Sequence, residues 1–160
     1  MKLIPNFLGI TAFFLIIVGC DKKKEEFSLN EPSRTYQELK KLALTKGDTI
    51  AYHELSIAYM DSPNDDRFLN IALIMANRYN IPEAYLDVYY FLTDYYHRKD
   101  FKNLDDLDDN TRALALAYLK KGAERGDKEC QKILGHYYIE GKYFNKDTIK
   151  GNQLITEGER

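Results

Sequence analysis

Tryptophan is absent from this chain of 160 residues and cysteine occurs only twice, so neither an indole-centred core nor a disulfide framework is open to it. Its nine glycines are scattered, and no phosphate-cradling run forms among them. A surplus of one charge is missing as well. The 23 basic and 25 acidic side chains leave a net charge of −2, a near-balance that argues against a nucleic-acid partner, which would call for a basic face. No serine is framed by glycines, no cysteine–histidine signature occurs, and His53, His97 and His136 stand singly without the paired spacing of a metal site. The expectation is of a chain with no enzyme motif, no metal and no cofactor. A membrane-spanning run is lacking too: Leu3 to Val18 is apolar, but Pro5, Asn6, Gly9 and Thr11 leave it too short and too broken for a stable spanning helix.

That apolar run follows a positive Met1-Lys2 start and closes on Ile17-Val18-Gly19-Cys20. The arrangement resembles the lipobox of bacterial lipoproteins, which implies a signal peptide over residues 1–19, cleavage after Gly19, and acylation of the Cys20 thiol and amine. The alternative is a plain secretory signal in which Cys20 is accidental. Two or more acyl chains on one cysteine hold a protein to a bilayer durably, whereas a single chain, at ~0.8 kcal/mol per buried methylene, is marginal. The resemblance therefore implies a lipid-anchored protein of the bacterial cell envelope, on a periplasmic face or at the cell surface. Residues 20–34 read as a tether, because Asp21 to Pro32 is charged and shows no sustained periodicity. Asp21 resembles an inner-membrane retention signal of enterobacteria and Lys24-Glu25-Glu26 resembles a surface-export signal of Bacteroidetes; a solvated linker with no address is the third reading.

Internal repetition decides the fold expected for residues 35–158. Lys46-Gly47-Asp48, Ala51, Leu55 and Tyr59 recur at one constant offset as Arg125-Gly126-Asp127, Cys130, Leu134 and Tyr138. A weaker middle copy places Ala76 and Ala84 as Ala43 and Ala51 are placed, with Asn80-Ile81-Pro82 at the turn. Gly47 and Gly126 suit a left-handed helix end, Asp48 and Asp127 suit the cap of the following helix, Asn80 substitutes for glycine, and Pro82 fits a first helical turn. Thr35 with Glu38 forms a capping box. Apolar stripes of helical period start on a small residue each time: Ala51-Leu55-Ala58-Tyr59, Ala84-Val88-Phe91-Leu92-Tyr95 and Cys130-Ile133-Leu134-Tyr137-Tyr138. First helices are expected near 35–46, 65–79 and 111–125, second helices near 48–60, 82–97 and 128–140, and a closing helix near 147–157. The fold class is all-α, a short α-solenoid of about three helix-turn-helix repeats with a C-terminal capping helix.

Tyr118-Leu119-Lys120-Lys121-Gly122-Ala123, Arg125-Gly126-Asp127, Leu134-Gly135-His136-Tyr137-Tyr138, Gly141 and Asn145-Lys146-Asp147 together resemble the Sel-1-like repeat, a tetratricopeptide relative. The third copy, about 113 to 149, carries the resemblance; Ser56 stands where glycine is usual in the first, the middle copy departs further, and Arg98 to Asn110 is extra. The resemblance implies an α-solenoid that binds another protein. By analogy with immunity lipoproteins of this kind, the sharpest expectation is capture of an envelope-targeting toxin; an envelope scaffold or regulator, and an enzyme or enzyme accessory, are the alternatives.

Two regions are candidates for contact. The first is a groove lined by the first helix of each repeat, where register points Gln37, Lys41, Asn70, Asn77, Lys120 and Glu124 outward. The second is the insertion, with Tyr95 and Tyr96 followed by Asp105, Asp106, Asp108 and Asp109. These acids lack the spaced ligands and central glycine of a calcium loop, and Asp109 or Asn110 is expected to cap the helix that follows. Cys130 falls at a small, buried position of the repeat and is expected to be a packed, inert thiol.

Overall fold

A computed structural model of the chain describes residues 34–60, 67–93 and 104–160. Every regular element among them is helical. In chain order they are α1 (Tyr36–Lys46), α2 (Thr49–Met60), α3 (Arg67–Tyr79), α4 (Pro82–Leu92), a single 3-10 turn (Leu104–Asp106), α5 (Asp109–Glu124), α6 (Lys128–Glu140) and α7 (Thr148–Glu159). Helices α1/α2, α3/α4 and α5/α6 form three hairpins, α4 packs on α5 between hairpins, and α7 packs on α6. This is the all-α stack that the repeats predict.

The three corners are built as their residues dictate. Gly47 (φ 66°), Asn80 (φ 55°) and Gly126 (φ 89°) all take the left-handed conformation that ends the first helix of each pair. The next helix starts on a cap: Asp48 Oδ1 accepts from the Ala51 amide at 2.9 Å, and Asp127 Oδ1 accepts from the Cys130 amide at 2.7 Å. Pro82 takes the first position of α4, where a missing N–H costs nothing. At the start of α1, Thr35 and Glu38 satisfy one another's backbone amides in a complete capping box.

Small residues set how closely the helices approach. Ala51, Ala84 and Cys130, which lead the three stripes, are fully buried, as are Ala43 and Ala76 on the first helices. At Gly122, which holds the place of Ala43 and Ala76, a Cβ would come within 2.5 Å of the Cys130 sulfur. The larger cysteine thus occupies the volume that the smaller glycine leaves. Between α6 and α7 the contact is with backbone rather than a side chain: a Cβ on Gly135 would lie 2.7 Å from the Gly151 carbonyl oxygen and one on Gly158 would lie 2.6 Å from that of Lys128. Aromatic rings fill the wider spaces: Tyr52 and Tyr59 both stack on Phe68, at 5.7 and 4.7 Å between centroids.

Several boundaries differ from the sequence expectation, each for a local reason. The second helix of the middle pair ends at Leu92 instead of running to 97, with Thr93 turning its hydroxyl back onto the Tyr89 carbonyl at 2.9 Å. Tyr95, Tyr96 and His97 lie outside the described residues, as do residues 65 and 66, the lipobox with Cys20, and almost all of the tether. Helix α5 starts at Asp109 because Asp108, one residue before the expected Asp109 and two before Asn110, is its cap and accepts from the amides of Asn110 and Thr111. Helix α7 continues to Glu159, past the expected ends of both helix and domain. Ala58, expected on the buried stripe of α2, is only half-buried.

Candidate functional site

Between α5 and α7, floored by α6, lies an open cleft of about 310 Å³. Helix α5 contributes Lys120, Ala123 and Glu124, α6 contributes Gln131, Leu134 and Tyr138, and α7 contributes Lys150, Leu154 and Glu157. Its floor is apolar at Leu134 and Leu154, and its rim carries two cations and two carboxylates. Lys120 and Glu124, one turn apart, stand 4.0 Å from each other. Across the cleft, Lys150 Nζ donates to the Tyr138 hydroxyl at 2.9 Å and sits 4.2 Å from the centre of that ring. Asp147, the cap of α7, fixes the first turn from which Lys150 projects by accepting from the Lys150 amide at 2.9 Å.

The six residues expected along the first-helix groove do not share one site. Lys120 and Glu124 face the cleft. Lys41 lines a separate hollow of about 320 Å³ on α1, with Arg34, Glu38, Leu42 and Thr45. Gln37 and Asn70 are exposed. Asn77 is part of the framework: its amide donates to the Tyr118 hydroxyl at 2.7 Å, tying α3 to α5.

Among the insertion's acids, three take part in local structure. Asp105 accepts from the Tyr143 hydroxyl at 2.7 Å and pairs with Lys142 at 3.1 Å, which clips the turn before α5 to the α6–α7 connection. These bonds hold its carboxyl below the usual range, the Tyr143 hydroxyl being the larger cause. Asp108 is a cap, with its pKa likewise lowered by Thr111, and Asp109 pairs with Arg112. Asp106 is exposed.

Cys130 is 0 % exposed, and burial together with the neighbouring Asp127 carboxylate pushes its thiol far up. Asp127 itself is raised by burial. His53 and His136 are exposed, and His53 Nδ1 meets Glu83 at 2.9 Å. Among the described residues no group of His, Cys, Asp and Glu is arranged to hold a metal, and no helix is long and apolar enough to cross a membrane.

No family model matches this chain, and neither the curated proteins nor the solved structures contain a match to it. The reading of the cleft therefore stands on its own residues. Gln131, Tyr138, Lys150, Leu154 and Glu157 were not signalled as site residues by the sequence. A signal was nonetheless present in the spacing of α7, where Gly151, Leu154, Ile155 and Gly158 repeat the intervals of Ala115, Tyr118, Leu119 and Gly122 in α5. The capping helix thus packs as a further first helix, and the cleft lies between two such helices. A buried polar pair was also missed: Tyr52 donates to Asp87 at 2.5 Å, and Asp87 is only 4 % exposed.

Proposed function

We propose that this chain is a non-catalytic protein-binding module, fastened to a membrane of the bacterial envelope by acylation of Cys20. Its most specific role in this reading is that of an immunity protein which binds and neutralises an envelope-targeting toxin. The observation that carries the binding reading is the α5–α7 cleft, where an apolar floor is ringed by Lys120, Glu124, Lys150 and Glu157. A rim with both signs of charge selects a partner by the pattern of its own charges, and an apolar centre supplies the area that excludes water. Stacked hairpins hold this surface in place before a partner arrives, so little ordering entropy is lost on docking. The analogy with Sel-1-like immunity lipoproteins supplies the toxin.

The test uses the full chain carrying Cys20→Ala, titrated calorimetrically against the products of the genes beside its own, and the acylated wild type expressed in cells exposed to the toxin-like product. Nanomolar binding, weakened at least tenfold by Lys120→Glu with Lys150→Glu, together with protection of the cells, is the expected result. Absence of both binding and protection would remove the immunity role. Tight binding to an envelope-assembly protein instead would establish the scaffold reading.

A further inference from the structure

Comparing the last two steps of the stack shows what the cleft lacks; the first step is built differently, with buried Ala72 in register with Tyr118. At the step from α3 to α5, Asn77 of α3, Tyr85 of α4 and Tyr118 of α5 come together. The Tyr118 ring lies 5.9 Å from that of Tyr85 between centroids, and its hydroxyl meets Asn77 at 2.7 Å. Tyr118 is 9 % exposed, so its own ring closes this step.

Moving one repeat onward in register, Asn77 becomes Ala123, Tyr85 becomes Gln131, and Tyr118 becomes Leu154. The correspondence is anchored by Ala76 and Gly122, both buried, by the two left-handed corners at Asn80 and Gly126, and by Ala84 and Cys130. All three replacements, Ala123, Gln131 and Leu154, line the cleft, and Gln131 Nε2 donates to the Ala123 carbonyl at 3.4 Å. These three positions therefore carry no aromatic ring, and α7 contains none; the ring that does line the cleft, Tyr138, comes from α6 and lies under Lys150. The volume left, about 310 Å³, is at the small end of ligand sites and suits one side chain with its flanking backbone.

We infer that the α5–α7 cleft is a subsite for an aromatic side chain, tyrosine or phenylalanine, presented by the protein partner and occupying the place that Tyr118 fills one step earlier. The inference deepens the protein-binding reading above and rests on it. Leu134 and Leu154 contact the faces of the incoming ring, and Lys150, already seated over Tyr138, offers its cation to a second ring. Residues flanking the anchor meet Lys120 and Glu157 on opposite sides, so an acid and a base beside the aromatic complete the fit.

The full chain carrying Cys20→Ala, with methyl-labelled leucine and alanine, is titrated with N-acetyl-tyrosinamide and N-acetyl-phenylalaninamide, and with N-acetyl-leucinamide and N-acetyl-glutaminamide as controls. Saturable shifts concentrated at Leu134, Leu154 and Ala123, with the aromatic probes binding about tenfold more tightly than the controls, are expected. Leu154→Tyr, which supplies the missing ring in cis, is expected to abolish those shifts and to weaken the cognate partner by the same factor or more. Shifts scattered over the surface, or equal responses to leucinamide, would overturn the subsite. So would undiminished binding of the partner by a folded Leu154→Tyr variant, and in that case the protein-binding reading would stand while this one fell. Should Leu154→Tyr fail to fold, the wild-type titration decides alone; failure of the partner titration with success of the probes would instead count against the protein partner and leave the ring site in place.

Discussion

A thiol is nucleophilic only as its anion, and Cys130 sits where the anion is disfavoured twice, by burial and by the Asp127 carboxylate. Its sulfur fills the gap over Gly122 and its amide is spent on the Asp127 cap, so the residue serves packing. The expected behaviour is that of a closed site. In the Cys20→Ala chain, iodoacetamide at pH 8 will modify Cys130 at least about a hundredfold more slowly in buffer than in denaturant, a ratio set by the small open population of a folded domain. Mass spectrometry over a time course measures it, and comparable rates in both conditions would show a thiol accessible to solvent. Asp105 teaches the complementary lesson. Its position in an acidic run suggested a free contact, whereas its carboxylate is held by Tyr143 and Lys142, residues far along the chain.

At the scale of the element, α7 shows how a helix that is weak alone becomes part of the fold. Twelve residues with three glycine or asparagine positions are too few and too flexible to hold a helix unaided in water. What holds α7 is close contact along Gly135, Gly151 and Gly158, where backbone meets backbone and adding a single carbon creates a collision. Gly151→Val is expected to lower stability by about 1–3 kcal/mol through overpacking and to release α7 from α6. Amide exchange across 148–159 would then rise by a larger factor than across α1–α4, and unchanged protection of α7 would show that the glycine seam is not what fastens it. Because α7 forms one wall of the cleft, the same variant is expected to lose partner binding.

For the whole molecule, separation of anchor and domain is the governing expectation. The hydrogen bonds that start α1 come from Thr35 and Glu38, within the helical domain. Cys20→Ala is accordingly expected to leave a soluble or signal-retained protein without the acyl anchor, its helical circular-dichroism signal and melting temperature unchanged. Loss of helical signal in that variant would tie the tether to the core. Within the stack, Tyr52 to Asp87, Asn77 to Tyr118 and Tyr89 to Tyr137 each join one hairpin to the next.

The corners, caps and seams were legible in the chain alone, because they depend on residues a few positions apart. A left-handed turn favours glycine or asparagine at one place, a cap needs a short side chain with an accepting oxygen just before the helix, and a close crossing needs a small residue at its start. Gly47, Asn80, Gly126, Asp48, Asp127, Ala51 and Ala84 all stand where those requirements put them. The single-residue error at Asp108 arose because three neighbouring side chains can each cap a helix and only the backbone path selects one. Which polar groups meet was settled only by the packed fold: that Asn77 is bonded while Lys120 and Glu124 remain on a cleft, and that Asp87 is buried against Tyr52. Such contacts depend on the distance and angle between helices distant in sequence, and those are fixed by the sum of every side chain between them.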